Sequence, residues 1–294
     1  MTRYGIVYET TGIYQSELQK LSQAFETADA VIVGAGSGLS TSAGFDYSGE
    51  RLRKYFGDFV EKYGMTDMYS GCFADFETRE ERWAYWSRWA WIHRYCPLPK
   101  DTLNVLLGLL STKDFFVITT NIDHTFQRAG FPKDRLFYTQ GDFGLFQCSR
   151  PCHAETYDNY EILKAMREQE KDMKVPVELI PHCPKCGAEM DFNLYWDDTF
   201  VRDSGWHAAN DRYQKYLQDH SHGRILYLEL GVGFNSPGVI KVPFWQMAVQ
   251  NRDSLYASVN LNDPCFPEIL RGRSIVISHD IDETIRDLKA CHEK

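Results

Sequence analysis

Six short apolar runs, each ending in glycine or polar residues, restrict the fold of this chain more than any other feature. They are "AVIVGAGSG" from Ala30, "FFVITTN" from Phe115, "LFYTQG" from Leu136, "RILYLELGVG" from Arg224, "YASVNL" from Tyr256 and "SIVISHD" from Ser274. Between them lie segments with apolar residues at helical spacing. Leu18–Ala28 and "DTLNVLLGLL" from Asp101 each predict a helix, as does the closing "DETIRDLKACHE" from Asp282. Continuous apolar strands alternating with helices predict a parallel sheet covered on both faces. "LSTSAGF" from Leu39 opens a helix or a loop.

Two stretches interrupt the alternation. Arg51–Tyr95 is aromatic and helical in pattern, with Trp83, Trp86 and Trp89 at every third residue. Those rings are expected to pack a helical insert rather than to stack on a ligand. The second stretch, from Cys148 to about Met190, is polar and carries cysteines. The division expected is a main body of 1–145 and 191–294, a helical insert at about 51–100 and a small module at 146–190.

Composition narrows the class. The chain has 294 residues, enough to bury a core without disulfides. It carries a net charge of -9 and no basic stripe, which speaks against a nucleic-acid partner. No run approaches the roughly 18 apolar residues of a membrane span, and "MTRYGIVYETTG" does not read as an export signal. A cytoplasmic location and no membrane partner are expected. There the eight cysteines read first as ligands, catalysts or core residues.

Cys148 and Cys152 form one pair, and the "CPKC" pair Cys183 and Cys186 is followed by Gly187. Together they can give four thiolates to a tetrahedral zinc, with no open position for catalysis. The competing readings are four free thiols or a redox C-x-x-C, and the latter lacks its strand-and-helix setting. Cys72, Cys96, Cys265 and Cys291 are scattered and read as structural.

Gly34, Gly36 and Gly38 fall at every second residue after the first strand. Such a turn allows backbone to approach a pyrophosphate, but its spacing is not G-x-G-x-x-G, so alone it is a weak nucleotide signal. Asn121 and Asp123, in "TTNIDHTFQRAGF", lie at a predicted strand end, where open α/β sheets bind ligands.

In this order these pieces resemble the sirtuin family, over roughly Ala28 to Leu288. "GSGLSTSAGFDY" resembles G-x-G-I-S-x-x-S-G-I-P-D-F-R, and "TTNID" resembles T-Q-N-I-D. "ELGVGFNSPG", "SVNLN" and "SHDIDETI" resemble the later loops. The resemblance implies a Rossmann-type NAD domain with an inserted zinc module. It implies NAD contacts at Ala35, Gly36, Gly38, Ser40, Asp46, Thr120, Asn121, Asp123, Gln140, Gly231, Gly233, Asn235, Asn260 and Ile281. In it Gly36, Gly38 and Ser40 cradle the pyrophosphate, Asn121 orients the reacting ribose and Asp123 holds the nicotinamide carboxamide. Departures occur as well: no proline precedes Asp46, Tyr47-Ser48 stands where Phe-Arg is usual, and Gly231-Val232-Gly233 replaces G-T-S.

The largest departure is Gln140, at the interval before the first zinc cysteine where the family has its catalytic histidine. Deacylation needs a base there to activate a ribose hydroxyl, and an amide does not titrate near neutrality. It still donates and accepts hydrogen bonds. Nicotinamide–ribose cleavage can therefore survive while the base-assisted step is lost. This combination resembles the macrodomain-linked, class M sirtuins. That resemblance implies protein ADP-ribosyl transfer, a lipoyl-carrier protein of the glycine-cleavage H type as target, and a macrodomain protein that reverses the modification. The alternatives are a deacylase with an unusual base and a non-catalytic NAD-binding module. His124 and His153 are the candidate surrogate bases, and a structural or exposed role is expected for each.

Overall fold

The computed structural model describes residues 5–8, 13–262 and 264–292. Most of the N-terminal stretch read for an export signal lies outside them.

The six apolar runs form one parallel sheet. Its strands are β1 (Ala30–Ala35), β2 (Phe115–Thr119), β3 (Leu136–Tyr138), β4 (Ile225–Leu230), β5 (Leu255–Val259) and β6 (Ser274–Ile277). Across the sheet they follow the order 3-2-1-4-5-6. This is the order of dinucleotide-binding sheets, in which the chain's direction of winding reverses between β1 and β4. One face packs on the helices Tyr14–Thr27, Thr102–Leu110 and Ile281–His292, the other on Ser204–Asp219 and Lys241–Gln250. Covered on both faces, β1 and β4 are buried at every position, which explains their unbroken apolar runs.

Glu229 of β4 is the exception within those runs. It is fully buried and paired at 2.5 Å with Lys241, itself 1% exposed. Tyr256 Oη donates to it at 2.8 Å and Ser258 Oγ at 3.1 Å. These bonds satisfy a charge that burial would otherwise penalise. Lys241→Met should therefore destabilise the protein by about 3–5 kcal/mol, because it strands Glu229. Urea unfolding checks this, and an unchanged midpoint would mean that Glu229 folds neutral.

The two interrupting stretches share one core. The insert contains helices Gly49–Tyr63, Met68–Gly71 and Arg79–Arg94. Thr78 caps the last of these by accepting from the Glu81 N–H at 3.2 Å. The cysteine stretch folds around a three-stranded antiparallel sheet, Gly141–Cys148, Tyr157–Asp158 and Met190–Leu194. This sheet is wider than 146–190 and starts directly after Gln140. Trp83 meets Phe146 at 5.6 Å between ring centres, Trp86 meets Phe192 at 5.6 Å, and Trp89 meets Phe143 at 4.8 Å. The tryptophans thus tie the helical insert to the cysteine-bearing sheet.

Candidate functional site

The site forms where β1 and β4 diverge. A Cβ on Gly38 would stand 2.7 Å from Gly231 Cα, and one on Gly231, at φ +65°, would stand 2.5 Å from Leu39 N. Only glycines let these two loops touch. The Gly36 N–H donates to Leu230 O and the Gly38 N–H to Gly231 O, both at 3.0 Å. These two N–H groups already serve the loop contact, and Ser37 between them lines the cavity.

The end of β2 packs on this turn. Asn121, 9% exposed, donates through Nδ2 to Gly36 O at 2.9 Å and to Ser40 Oγ at 3.0 Å. Ser40 Oγ donates in turn to Asp123 Oδ2. The other Asp123 oxygen accepts from Thr125 N–H at 3.0 Å and Thr125 Oγ1 at 2.7 Å. Burial raises the Asp123 carboxyl above its ordinary value, against the lowering pull of these hydrogen bonds.

A cavity of about 450 Å³ opens over Asn121, within the size range of small-molecule sites. Gly36, Thr120, Asn121, Gln140, Gly233 and Asn235 line it. Gln140 Nε2 donates to Ser236 Oγ at 3.2 Å. Ser40 and Asp123 are buried behind Asn121. Ala35, Gly38, Gly231, Asn260 and Ile281 do not line the cavity, and Ile281 is 2% exposed in the core beneath β6. Asp46 also lies outside the lining, on the surface, where it accepts from Ser48 N–H and Ser48 Oγ at 3.0 Å.

Sequence reasoning missed part of the wall: Tyr47, Asp67, Tyr69, Trp89, Tyr195 and Trp196 all contribute to it. Tyr47 stacks on the buried His93 ring at 5.0 Å. Burial and then the charge of Asp123 push its phenol upward, so it stays neutral. Two of these carried a readable signal: Tyr47, at a departure within the glycine motif, and Trp89, one of the repeated tryptophans, which is both core and cavity wall. A second cavity of about 470 Å³ shares Gln140 and Tyr195 with the first. Its remaining wall includes Phe137, Trp206, Leu217, Val239 and Met247. His124 lines neither cavity; its Nδ1 is hydrogen-bonded to Asp142.

Cys148, Cys152, Cys183 and Cys186 meet at the end of the antiparallel sheet, their sulfurs within 4.8 Å of one another. Cys148 and Cys186 are 3.5 Å apart and Cys152 and Cys183 3.7 Å. A tetrahedron of thiolates about 2.3 Å from zinc has edges of about 3.8 Å, so the four sulfurs fit that ion. A disulfide would need about 2.05 Å. The Gly187 N–H closes the knuckle onto Cys183 O at 2.9 Å, with Gly187 at φ +72°.

Comparison with solved structures defines the fold. Sir2Tm bound to a propionylated peptide superposes with a TM-score of 0.57 at 16% identity, covering 94% of this chain and 98% of that one. A structure of Sir2 enzymes described for their mechanism and regulation gives 0.58 at 19%, covering 95% and 100%. The fold is that of the sirtuins. No family model matches the chain. The chain is 35% identical over 270 residues to the protein ADP-ribosyltransferase of Staphylococcus aureus strain Mu50, covering 92% of this chain and 86% of that one. It is 30% identical over 243 residues to a probable bifunctional ADP-ribose hydrolase/ADP-ribosyltransferase of Fusarium oxysporum f. sp. cubense, covering 78% of this chain and 40% of that one. The chain belongs to the sirtuin-type protein ADP-ribosyltransferase family.

Proposed function

We propose that this protein is an NAD-dependent mono-ADP-ribosyltransferase acting on a lipoyl-carrier protein. In the reaction the bond between nicotinamide and the ribose anomeric carbon breaks, and nicotinamide leaves with the electron pair. A nucleophile of the target bonds to that carbon and gives up its proton. The observation that carries the reading is Gln140, a non-titrating amide on the wall of the cavity that Asn121 also lines. Asn121 orients the ribose, and Gln140 bonds its hydroxyls without acting as a base. Asp123 supports Asn121 from behind through Ser40, at the end where the nicotinamide carboxamide binds.

The target reading has its own support. Tyr69 and Tyr195 at the cavity rim are 51% and 45% exposed, and exposed Phe73 packs edge-on against Trp196 at 5.4 Å. Exposed aromatics are typical of protein-binding surfaces. The apolar second cavity reaches Gln140 and suits an aliphatic arm such as lipoyl-lysine. The Fusarium relative's name joins a hydrolase to a transferase, the pairing expected if a macrodomain protein reverses the modification. In the same reading, 1–145 and 191–294 bind NAD, and the module at 146–190, its sheet reaching from Gly141 to Leu194, is held by one structural zinc on the four cysteines. Among the described residues no helix is long and apolar enough to cross a membrane.

Gln140→Ala removes both ribose contacts. Two hydrogen bonds of about 0.5–1.5 kcal/mol each predict a loss of about 5- to 150-fold in label transfer from NAD to the carrier protein. Single-turnover nicotinamide release is the measurement. A wild-type rate in Gln140→Ala would remove the amide from the mechanism.

A further inference from the structure

We infer that His124 and Asp142 are a positioning pair that holds Asn121 and Gln140 over the same ribose. The inference rests on the reading above, in which those two residues share one substrate.

The backbone provides the first observation. His124 sits at φ 62° and ψ 17°, in the left-handed region that favours glycine. It follows Asp123 directly. A histidine persists in such a conformation when its surroundings hold it there. Here its Nδ1 is hydrogen-bonded to Asp142 Oδ2.

Asp142 is the fixed end of that bond. It is 3% exposed, and its Oδ1 accepts from Arg94 Nε at 2.9 Å and from Gly144 N–H at 2.7 Å. Burial alone would raise its carboxyl, but the His124 bond, the charges of His124 and Arg94 and the Gly144 N–H together hold it below the ordinary value. It is thus an ionised acceptor, and Nδ1 of His124 carries the donated proton.

The pair joins the two elements that carry the site. On one side is the segment after β2 with Asn121 and Asp123. On the other is the strand Gly141–Cys148, which Gln140 precedes. Phe143 N–H donates to Ile122 O at 2.9 Å, alongside the pair. The start of the strand packs tightly on its neighbour: at φ +93°, Gly141 lies so close that a Cβ would stand 1.8 Å from Asn193 O. Arg94, in the last turn of helix Arg79–Arg94, adds the insert as a third anchor. Neither His124 nor Asp142 lines the cavity, so both act through their neighbours.

Three substitutions at one position separate the bond from the backbone. His124→Ala removes the bond and keeps the strain. His124→Gly removes both. His124→Asn tolerates the left-handed backbone and places an amide nitrogen where Nδ1 stood. In steady-state nicotinamide release, His124→Ala and His124→Gly should lower kcat at least 10-fold, with KM for NAD within threefold and a cooperative thermal transition retained, its midpoint lowered by the lost donor to Asp142. His124→Asn should return kcat to within threefold of wild type. Hydrogen exchange gives a second readout that needs no activity. Amides in 120–125 and 140–144 should exchange faster together in the alanine and glycine variants, and at the wild-type rate in the asparagine variant. Wild-type kcat in His124→Gly, failure of His124→Asn to restore it, or unchanged exchange in His124→Ala would overturn the inference. If the wild-type protein itself releases no nicotinamide, the transferase reading fails, and exchange still decides the positioning pair.

Discussion

Asn121→Ala should reduce nicotinamide release and ADP-ribosyl transfer by at least about 10²- to 10³-fold, the loss typical when a preorganised polar contact to a reacting centre is removed. The sequence places Asn121 at an open strand end, outside the core. The structure instead buries it to 9% exposure and commits its Nδ2 to Gly36 O and Ser40 Oγ. Its removal therefore also leaves Gly36 O and Ser40 short of a donor, at about 1–3 kcal/mol. That lowers stability without unfolding a domain of this size. Thermal unfolding and single-turnover cleavage, measured on the same sample, separate the two effects. Full activity in a folded Asn121→Ala protein would place the chemistry elsewhere.

Cys183→Ser should cost the protein its metal and most of the second core. Structural zinc contributes about 10–16 kcal/mol in small finger peptides, so its loss is not absorbed locally. Cys183 is 3% exposed and Cys148 is fully buried, in the same core as Trp83, Phe146 and Trp89. Cys148 ends the strand that begins after Gln140, so disorder at the metal end reaches the cavity wall. The expected result is one zinc per wild-type chain by elemental analysis, none in the variant, and transfer activity lost with the near-UV signal of the tryptophans. A wild-type protein that is folded, active and free of zinc would contradict this account of the module.

Much of the fold is legible because β1 and β4 are buried on both faces and so appear as unbroken apolar runs. The segment "GDFGLFQC" of the antiparallel sheet is equally a strand in the structure, but two glycines and Asp142 obscure it in the sequence. Asp142 is tolerated there only because His124, Arg94 and the Gly144 N–H satisfy it, and no local pattern announces partners 18 and 48 residues away. The shared core of the tryptophan helix and the cysteine module is invisible for the same reason. At the site, the motif order brings Gly36, Thr120, Asn121 and Gln140 together. Motif register says nothing of side-chain direction, which leaves Asp46 on the surface and Ile281 in the core. Tyr195 and Trp196 belong to no motif and reach the wall only through tertiary packing, whereas Tyr47 ends the glycine motif at one of its departures.

The most direct test of the central claim uses the wild-type protein with NAD labelled in its adenosine half. One reaction contains a lipoylated carrier protein and a parallel one contains an acetyl-lysine peptide. With glutamine at position 140, label should appear on the carrier protein, matched by free nicotinamide, and the acetyl peptide should remain intact with no O-acetyl-ADP-ribose. Robust acetyl-lysine hydrolysis with no protein-bound label on the carrier would contradict the account and make the protein a deacylase with another base.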